Sequence, residues 1–217
     1  YHLALMKDQE KPLAMVNIGG VANLTWIPSS NENELMAGDT GPGMALLNDL
    51  IQKHQGISFD PGGHFAAMGS SDGAFVEKVL ADPFFEQSLP KSLDRDYFKD
   101  FLVQLEKTIQ LPHDLYNALH TLCKITAQGI LRALPDKPQQ IILSGGGRKH
   151  LVIKKLLQEA LSIPVRDIDE LGINGDFIEA QAWAFLAARH VYKLSYTFPK
   201  TTGVRYPTCG GRLLAID

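Results

Sequence analysis

Met15-Val16-Asn17-Ile18-Gly19-Gly20-Val21-Ala22-Asn23-Leu24-Thr25 is the stretch on which the reading of this chain turns. Apolar and β-branched residues flank a glycine pair, so residues 12–18 predict a strand, Gly19-Gly20 a turn, and residues 21–27 a second strand that Pro28 ends. A polar loop at 29–34 leads to a short third strand at 35–37. Gly38-Asp39-Thr40-Gly41-Pro42-Gly43 follows, then a helix with Leu46, Leu47, Leu50 and Ile51 at helical spacing.

The middle of the chain, about 72–134, reads as helical. A short helix at 72–80 stops before Pro83, and Phe98, Leu102, Leu105 and Ile109 mark a helix that begins near Asp94. A longer one covers 115–134. A strand at 139–143 then runs through Ser144-Gly145-Gly146-Gly147 into a helix at 151–161, followed by a short strand at 165–168. The last helix, 176–192, carries small and apolar residues nearly all round and is expected to be buried. The tail from Phe198 predicts irregular structure and one more strand. The expected class is α/β, with one mixed sheet flanked by helices.

With 217 residues and 45% apolar side chains the chain can bury a core without staples. Cys123 and Cys209 stand far apart, with neither a C-x-x-C pattern nor histidines at zinc spacing, which argues against a disulfide framework or structural zinc and for a reducing compartment. A net charge of -3 gives no broad electrostatic reason to expect nucleic acid or a membrane surface as partner. No apolar run approaches the ~18 residues of a spanning helix. The expected partner is a small molecule. The opening Tyr1-His2-Leu3, without Met, reads as the interior of a longer polypeptide.

Four places carry candidate chemistry, each with a plainer alternative. Gly19 and Gly20, flanked by Asn17 and Asn23, suit a backbone nest for phosphate oxygens, or an ordinary hairpin turn. Asp39 sits where a carboxylate could hold Mg²⁺ through water and Thr40 could donate to a phosphate or sugar oxygen, or where Asp39 merely caps a turn. Gly145, Gly146 and Gly147 form a shelf before a helix N-terminus, a setting for a nucleotide. A dinucleotide fingerprint is rejected because His150 stands where its last glycine belongs. Asp176 and Glu179 read as a capping box, as cleft carboxylates, or as one of each. The seven histidines, His64 nearest a glycine site, read as surface or core residues.

The order of elements resembles one lobe of the actin, hexokinase and Hsp70 ATPase superfamily, a ribonuclease H-like fold. At motif level the chain resembles anhydro-N-acetylmuramic acid kinases. The residues that carry this are Asn17 to Thr25, Asp39-Thr40-Gly41-Pro42-Gly43, Pro90-Lys91-Ser92, Ser144-Gly145-Gly146-Gly147, Gly175-Asp176 with Glu179-Ala180, and Thr202-Gly203. The resemblance implies a bacterial cytoplasmic enzyme of cell-wall recycling that uses ATP and Mg²⁺. It would hydrolyse the 1,6-anhydro ring of anhydro-N-acetylmuramic acid while phosphorylating O6, giving N-acetylmuramic acid 6-phosphate. It further implies that residues 1–217 are the C-terminal lobe, with the N-terminal lobe and the general-base aspartate lying upstream of Tyr1, so that this chain alone is inactive.

By the same resemblance Asn17, Gly19, Gly20 and Gly145 to Gly147 would bind nucleotide, Glu179 would support catalysis, and Asn23, Asp39, Thr40 and Gly41 would serve sugar, phosphate or, at Asp39, metal. Met44, His150 and Leu93-Asp94 depart from the family pattern. A non-catalytic nucleotide- or sugar-sensing module of the same superfamily is the alternative, and an assembly domain built on residues 94–134 a third. A homodimer stays among the open options.

Overall fold

The computed structural model describes residues 1–214. Three segments near the start form a meander: β1 (Leu13–Ile18), β2 (Val21–Ile27) and β3 (Met36–Pro42). β1 and β2 pair antiparallel with Asn17 opposite Asn23, and β2 and β3 do so with Asn23 opposite Asp39, across a bulge at Ala22/Asn23. Two later strands, β4 (Gln140–Ser144) and β5 (Val165–Asp167), extend the sheet in parallel on the other side of β1. The order is β3-β2-β1-β4-β5. A mixed sheet with three antiparallel strands on one side and two parallel strands on the other is the ribonuclease H-like arrangement expected of an actin-like ATPase lobe.

Helices α1 (His2–Leu5), α2 (Ala45–Gln55), α3 (His64–Ala67), α4 (Gly73–Leu80), α5 (Lys99–Glu106), α6 (Pro112–Ala133), α7 (Leu151–Leu161), α8 (Ile178–Val191) and α9 (Pro199–Thr202) complete the described residues. Strand side chains alternate between faces, so Ala14, Val16, Ile18, Leu24, Ile141 and Leu143 point to one side. There they meet Leu47, Leu50 and Ile51 of α2, Leu119, Leu122 and Ile130 of α6, and Ile153 and Leu157 of α7 in the main core. The opposite face is thinner. Leu13, Met15, Ile27 and Ile142 meet Met6, Leu35, Ile168 and Ile178 there.

Four expectations are corrected. The third strand reaches Pro42 rather than ending at residue 37, because pairing with β2 carries it through a sequence that looks like a loop. α8 is mostly exposed: only Ile178 is buried, and Trp183 is 66% exposed. Its apolar composition is real, but the described part of the chain offers little to cover it. The tail has no final strand among the described residues. It forms α9 and one bridge between Thr197 and Thr208. α5 also starts at Lys99, later than expected, after turns at residues 94–98.

Candidate active site

The odd-numbered residues of β1 and their partners share the thinner face, so Asn17, Asn23 and Asp39 form a row across the ends of three strands. Two cavities open at this end of the sheet. The first, about 480 Å³, is lined by Asn17 and Asn23, by Ser144, Gly145 and Gly146, and by Arg148, Asp176 and Glu179, with His2 at its edge. The second, about 430 Å³, is lined by Ile18, Gly19, Gly20, Met44, Phe59, Gly146, Lys149 and His150 among others. Gly146 belongs to both. The two glycine turns therefore lie at one end of the sheet, with Gly146 common to both cavities.

The Gly19-Gly20 turn is braced from beneath by α2, whose entry donates the amides of Met44 to the Gly19 carbonyl and of Ala45 to the Gly20 carbonyl at 2.7 and 3.1 Å. After Gly145 the chain makes a 3-10 turn, Gly146–Lys149, before α7 begins. The shelf is thus a short turn, and the dipole end of α7 lies four residues beyond it.

In the wall of the first cavity Arg148 is buried, with four of its five N–H groups engaged. Its Nη1 donates to the Gly145 carbonyl at 3.0 Å, its Nε to Asp169 at 3.1 Å, and its Nη2 to Asp169 at 3.0 Å and Asp176 at 2.7 Å. Asp167 Oδ1 is 3.2 Å from Nε. The Gly175 amide, then Arg148, hold the Asp169 carboxyl below its ordinary range, and Arg148 does the same for Asp176. A Cβ at Gly175 would fall 2.5 Å from Arg148 Nε, so only glycine lets the backbone lie against the guanidinium.

Behind the second cavity Asp60 accepts the amides of Phe65 and Ala66 at 2.9 Å each, and its Oδ2 is 3.7 Å from His150 Nε2. Burial pushes this carboxyl up, but His150 and the two amides pull it down further, so its net shift is downward. Cys123 Sγ lies 3.7 Å from the same His150 nitrogen, and burial drives the thiol well above its usual range.

The family profile described as anhydro-N-acetylmuramic acid kinase matches residues 1–215. This chain belongs to the anhydro-N-acetylmuramic acid kinase family. Curated members are similar to it along nearly its whole length: 38% identity to that of Zymomonas mobilis (98% of this chain, 57% of the relative), 41% to that of Phenylobacterium zucineum (99% and 57%), and 42% to that of Rhodopseudomonas palustris (98% and 58%). The chain spans somewhat over half the length of the curated relatives it matches. Among solved structures, the activator of 2-hydroxyisocaproyl-CoA dehydratase from Clostridium difficile with bound ADPNP aligns at a TM-score of 0.46 and 8% identity, over 72% of this chain and 54% of that one.

Against that family identity, the structure brings Asn17, Asn23, Gly145, Gly146 and Glu179 to one cavity and Gly19 and Gly20 to its neighbour. Gly147 is buried beneath the shelf. Thr40 is corrected: its hydroxyl is fully buried and donates to the Ala22 carbonyl at 3.1 Å, which leaves it no free donor. Gly41 lies against Phe85 in the wall and lines neither cavity. Asp39 also lines neither, although it neighbours Asn23. Its Oδ2 accepts the Leu93 amide at 2.6 Å, and burial raises its pKa while that hydrogen bond pulls the other way.

The Pro90-Lys91-Ser92 motif is the other half of that contact, since the Asp39 amide donates to the Lys91 carbonyl at 2.8 Å. A Cβ on Gly38 would sit 2.8 Å from the Lys91 backbone, so a glycine is needed for this close approach. Asp176 does not cap α8: Phe177 holds the cap position and the Asp176 carboxylate goes to Arg148. Asp39 is not part of a metal site of three ligating side chains, and no such group occurs among the described residues. Arg148, the most heavily engaged polar side chain of the site, carries no signal in the sequence, because its partners at 145, 167, 169 and 176 form no motif with it.

Proposed function

We propose that this chain is the C-terminal lobe of a two-lobed kinase that opens the 1,6-anhydro ring of anhydro-N-acetylmuramic acid and phosphorylates the freed O6, giving N-acetylmuramic acid 6-phosphate in cell-wall recycling. Family membership supports the substrate class. The observation that carries the reading is the meeting of a carboxylate-bearing cavity and a glycine-lined cavity at Gly146, which gives adjacent seats to a sugar and to the phosphates of ATP.

In the proposed reaction a water oxygen bonds to the anomeric carbon and the bond from that carbon to O6 breaks. O6 takes the γ-phosphoryl group, ADP leaves, and a carboxylate receives the proton of the water. Gly19, Gly20, Gly146 and Lys149 would face the phosphates, and Asn17 and Asn23 would hold the sugar end of the cavity. Asp39 lines neither cavity, so the base is assigned to the part of the relatives' length that this chain does not span. Asp39 instead holds the Pro90-Lys91-Ser92 segment against β3 through the Leu93 amide. Glu179, exposed in the cavity wall, would stabilise positive charge developing at the anomeric carbon.

Mg²⁺ commonly binds through phosphate oxygens and waters with one or two carboxylates, so the absence of a protein cage among the described residues fits it entering with the nucleotide. When bound it neutralises phosphate charge. A cytoplasmic site, where ATP is available, agrees with two free cysteines.

The test is to incubate a protein of full family length carrying this chain with ATP and the anhydro sugar. A product heavier by one water and one phosphoryl group, with one ADP per turnover, supports the reading. ATP binding with no turnover of the sugar would favour a sensing module instead.

A further inference from the structure

We infer that Arg148 is a positioning residue that fixes the first turn of α8, and with it Glu179, against the Gly145-Gly146 turn; this rests on the catalytic reading of Glu179 above. The guanidinium is 2% exposed, and each of its nitrogens donates at least one hydrogen bond within the protein. Four of its five N–H groups are thus used inside the protein, so although Arg148 lines the cavity its main action is on other groups.

Its partners come from four separate places: the glycine turn after β4 (Gly145), the end of β5 (Asp167), the 3-10 turn that follows (Asp169), and the approach to α8 (Asp176). Those are two opposed walls of the first cavity and the strand end between them. Asp169 reinforces the link by accepting the Gly175 amide at 2.6 Å. Charge-assisted bonds in a planar fork have both the strength and the geometry for this task, whereas an ammonium offers one point of attachment.

Besides the fork, Asn174 Oδ1 accepts the Asp176 amide at 3.0 Å and the Tyr1 hydroxyl donates to Gln181 at 2.9 Å, neither of them charge-assisted. Ile178 is the one buried residue of α8, and Lys149 reaches Asp176 only at 3.4 Å. Later turns are tied elsewhere, through Arg189 to Glu32 at 3.2 Å. The setting of Glu179 thus depends on the Arg148 fork more than on hydrophobic packing. Misplacement of a catalytic group by about 1 Å can lower a rate on the order of a hundredfold.

The experiment is a double-mutant cycle on kcat in the protein of full family length, with Arg148→Lys, Glu179→Gln and the pair, together with amide hydrogen exchange. Arg148→Lys is expected to lower kcat at least about tenfold in the parent but less than about threefold in the Glu179→Gln background, because the group it positions is already disabled. It should also speed exchange of amides 176–182 about tenfold while those of α6 stay unchanged. Equal losses of kcat in both backgrounds, or unaltered exchange at 176–182, would overturn the inference. If Glu179→Gln leaves turnover intact, the catalytic reading of Glu179 fails, and the exchange measurement alone decides whether Arg148 holds α8. Asp176→Asn, which keeps the guanidinium, should reproduce the exchange change if Arg148→Lys misfolds, and its failure to do so would likewise count against the idea.

Discussion

Asp39 Oδ2 accepts the backbone amide of Leu93 at 2.6 Å, although the two residues are 54 apart in sequence. The contact brings Pro90-Lys91-Ser92 onto the outer edge of β3 and holds the carboxyl group beside Asn23, in a place where burial opposes its ionisation.

Asp39→Asn is expected to change kcat by less than about threefold, since Asp39 lines neither cavity and an amide oxygen can still accept the Leu93 amide. The sign for stability is opposite to that of a paired carboxylate. Burial raises the folded pKa above its ordinary value of 3.8, so ionising the group costs stability as pH rises through the folded pKa. The amide variant should melt no lower than the parent at neutral pH, and any advantage over the parent should fade toward acid. A loss of kcat of about a hundredfold would place Asp39 in the chemistry instead.

Glu179→Gln should lower kcat far more than it weakens nucleotide binding, with little change in melting temperature. Glu179 is exposed and takes no part in a hydrogen bond or ion pair among the described residues, and the cap position of α8 belongs to Phe177. A cap residue would cost about 1 kcal/mol on removal, which is readable as a shift of the thermal transition. Normal turnover with lowered melting would reverse the assignment.

Asp60→Asn should destabilise the fold by about 1–3 kcal/mol, since it weakens a buried carboxylate that accepts two amides and faces His150. Here the folded pKa is depressed below 3.8. The advantage of the parent over the variant is therefore fully present above the unfolded value and fades as pH falls through the folded one. Denaturant midpoints of both proteins from pH 3 to pH 7 check this. A difference that grows toward acid would contradict it.

The same residues show what the sequence could and could not disclose. The Gly19-Gly20 hairpin and the α7 span were legible because they follow from local signals: a glycine pair between β-branched runs, and an apolar stripe after a turn. β3 was cut short because Gly38-Asp39-Thr40-Gly41-Pro42 has loop composition, and only its pairing with β2 and the docking of Lys91 make it a strand. Thr40 looked like a ligand donor for the same reason; the inward turn that spends its hydroxyl on Ala22 is a property of the sheet. α8 was expected to be buried because its surface is apolar, but composition does not say which neighbour covers a surface. Arg148 gave no local signal at all, as its role exists only once three aspartates and Gly145 are folded around it.

The isolated 217-residue chain is expected to bind ATP weakly and to transfer no phosphoryl group, even when folded. Relatives of this family have a substantial further length, since the chain covers 57% of the one from Zymomonas mobilis. Phosphoryl transfer depends on holding both reactants in line and on charge stabilisation around the γ-phosphoryl group. The two cavities described here meet at one end of the sheet and are open to water, which weakens each electrostatic contact and leaves the attacking water unoriented. The missing contributions are expected to be enclosure and the base that activates the water. Calorimetric titration of the chain with ATP and an ADP-release assay with the anhydro sugar, run beside a protein of full family length, separate the two contributions. Turnover by the isolated chain within about tenfold of the longer protein would show that one lobe suffices, and would refute this account of the cleft.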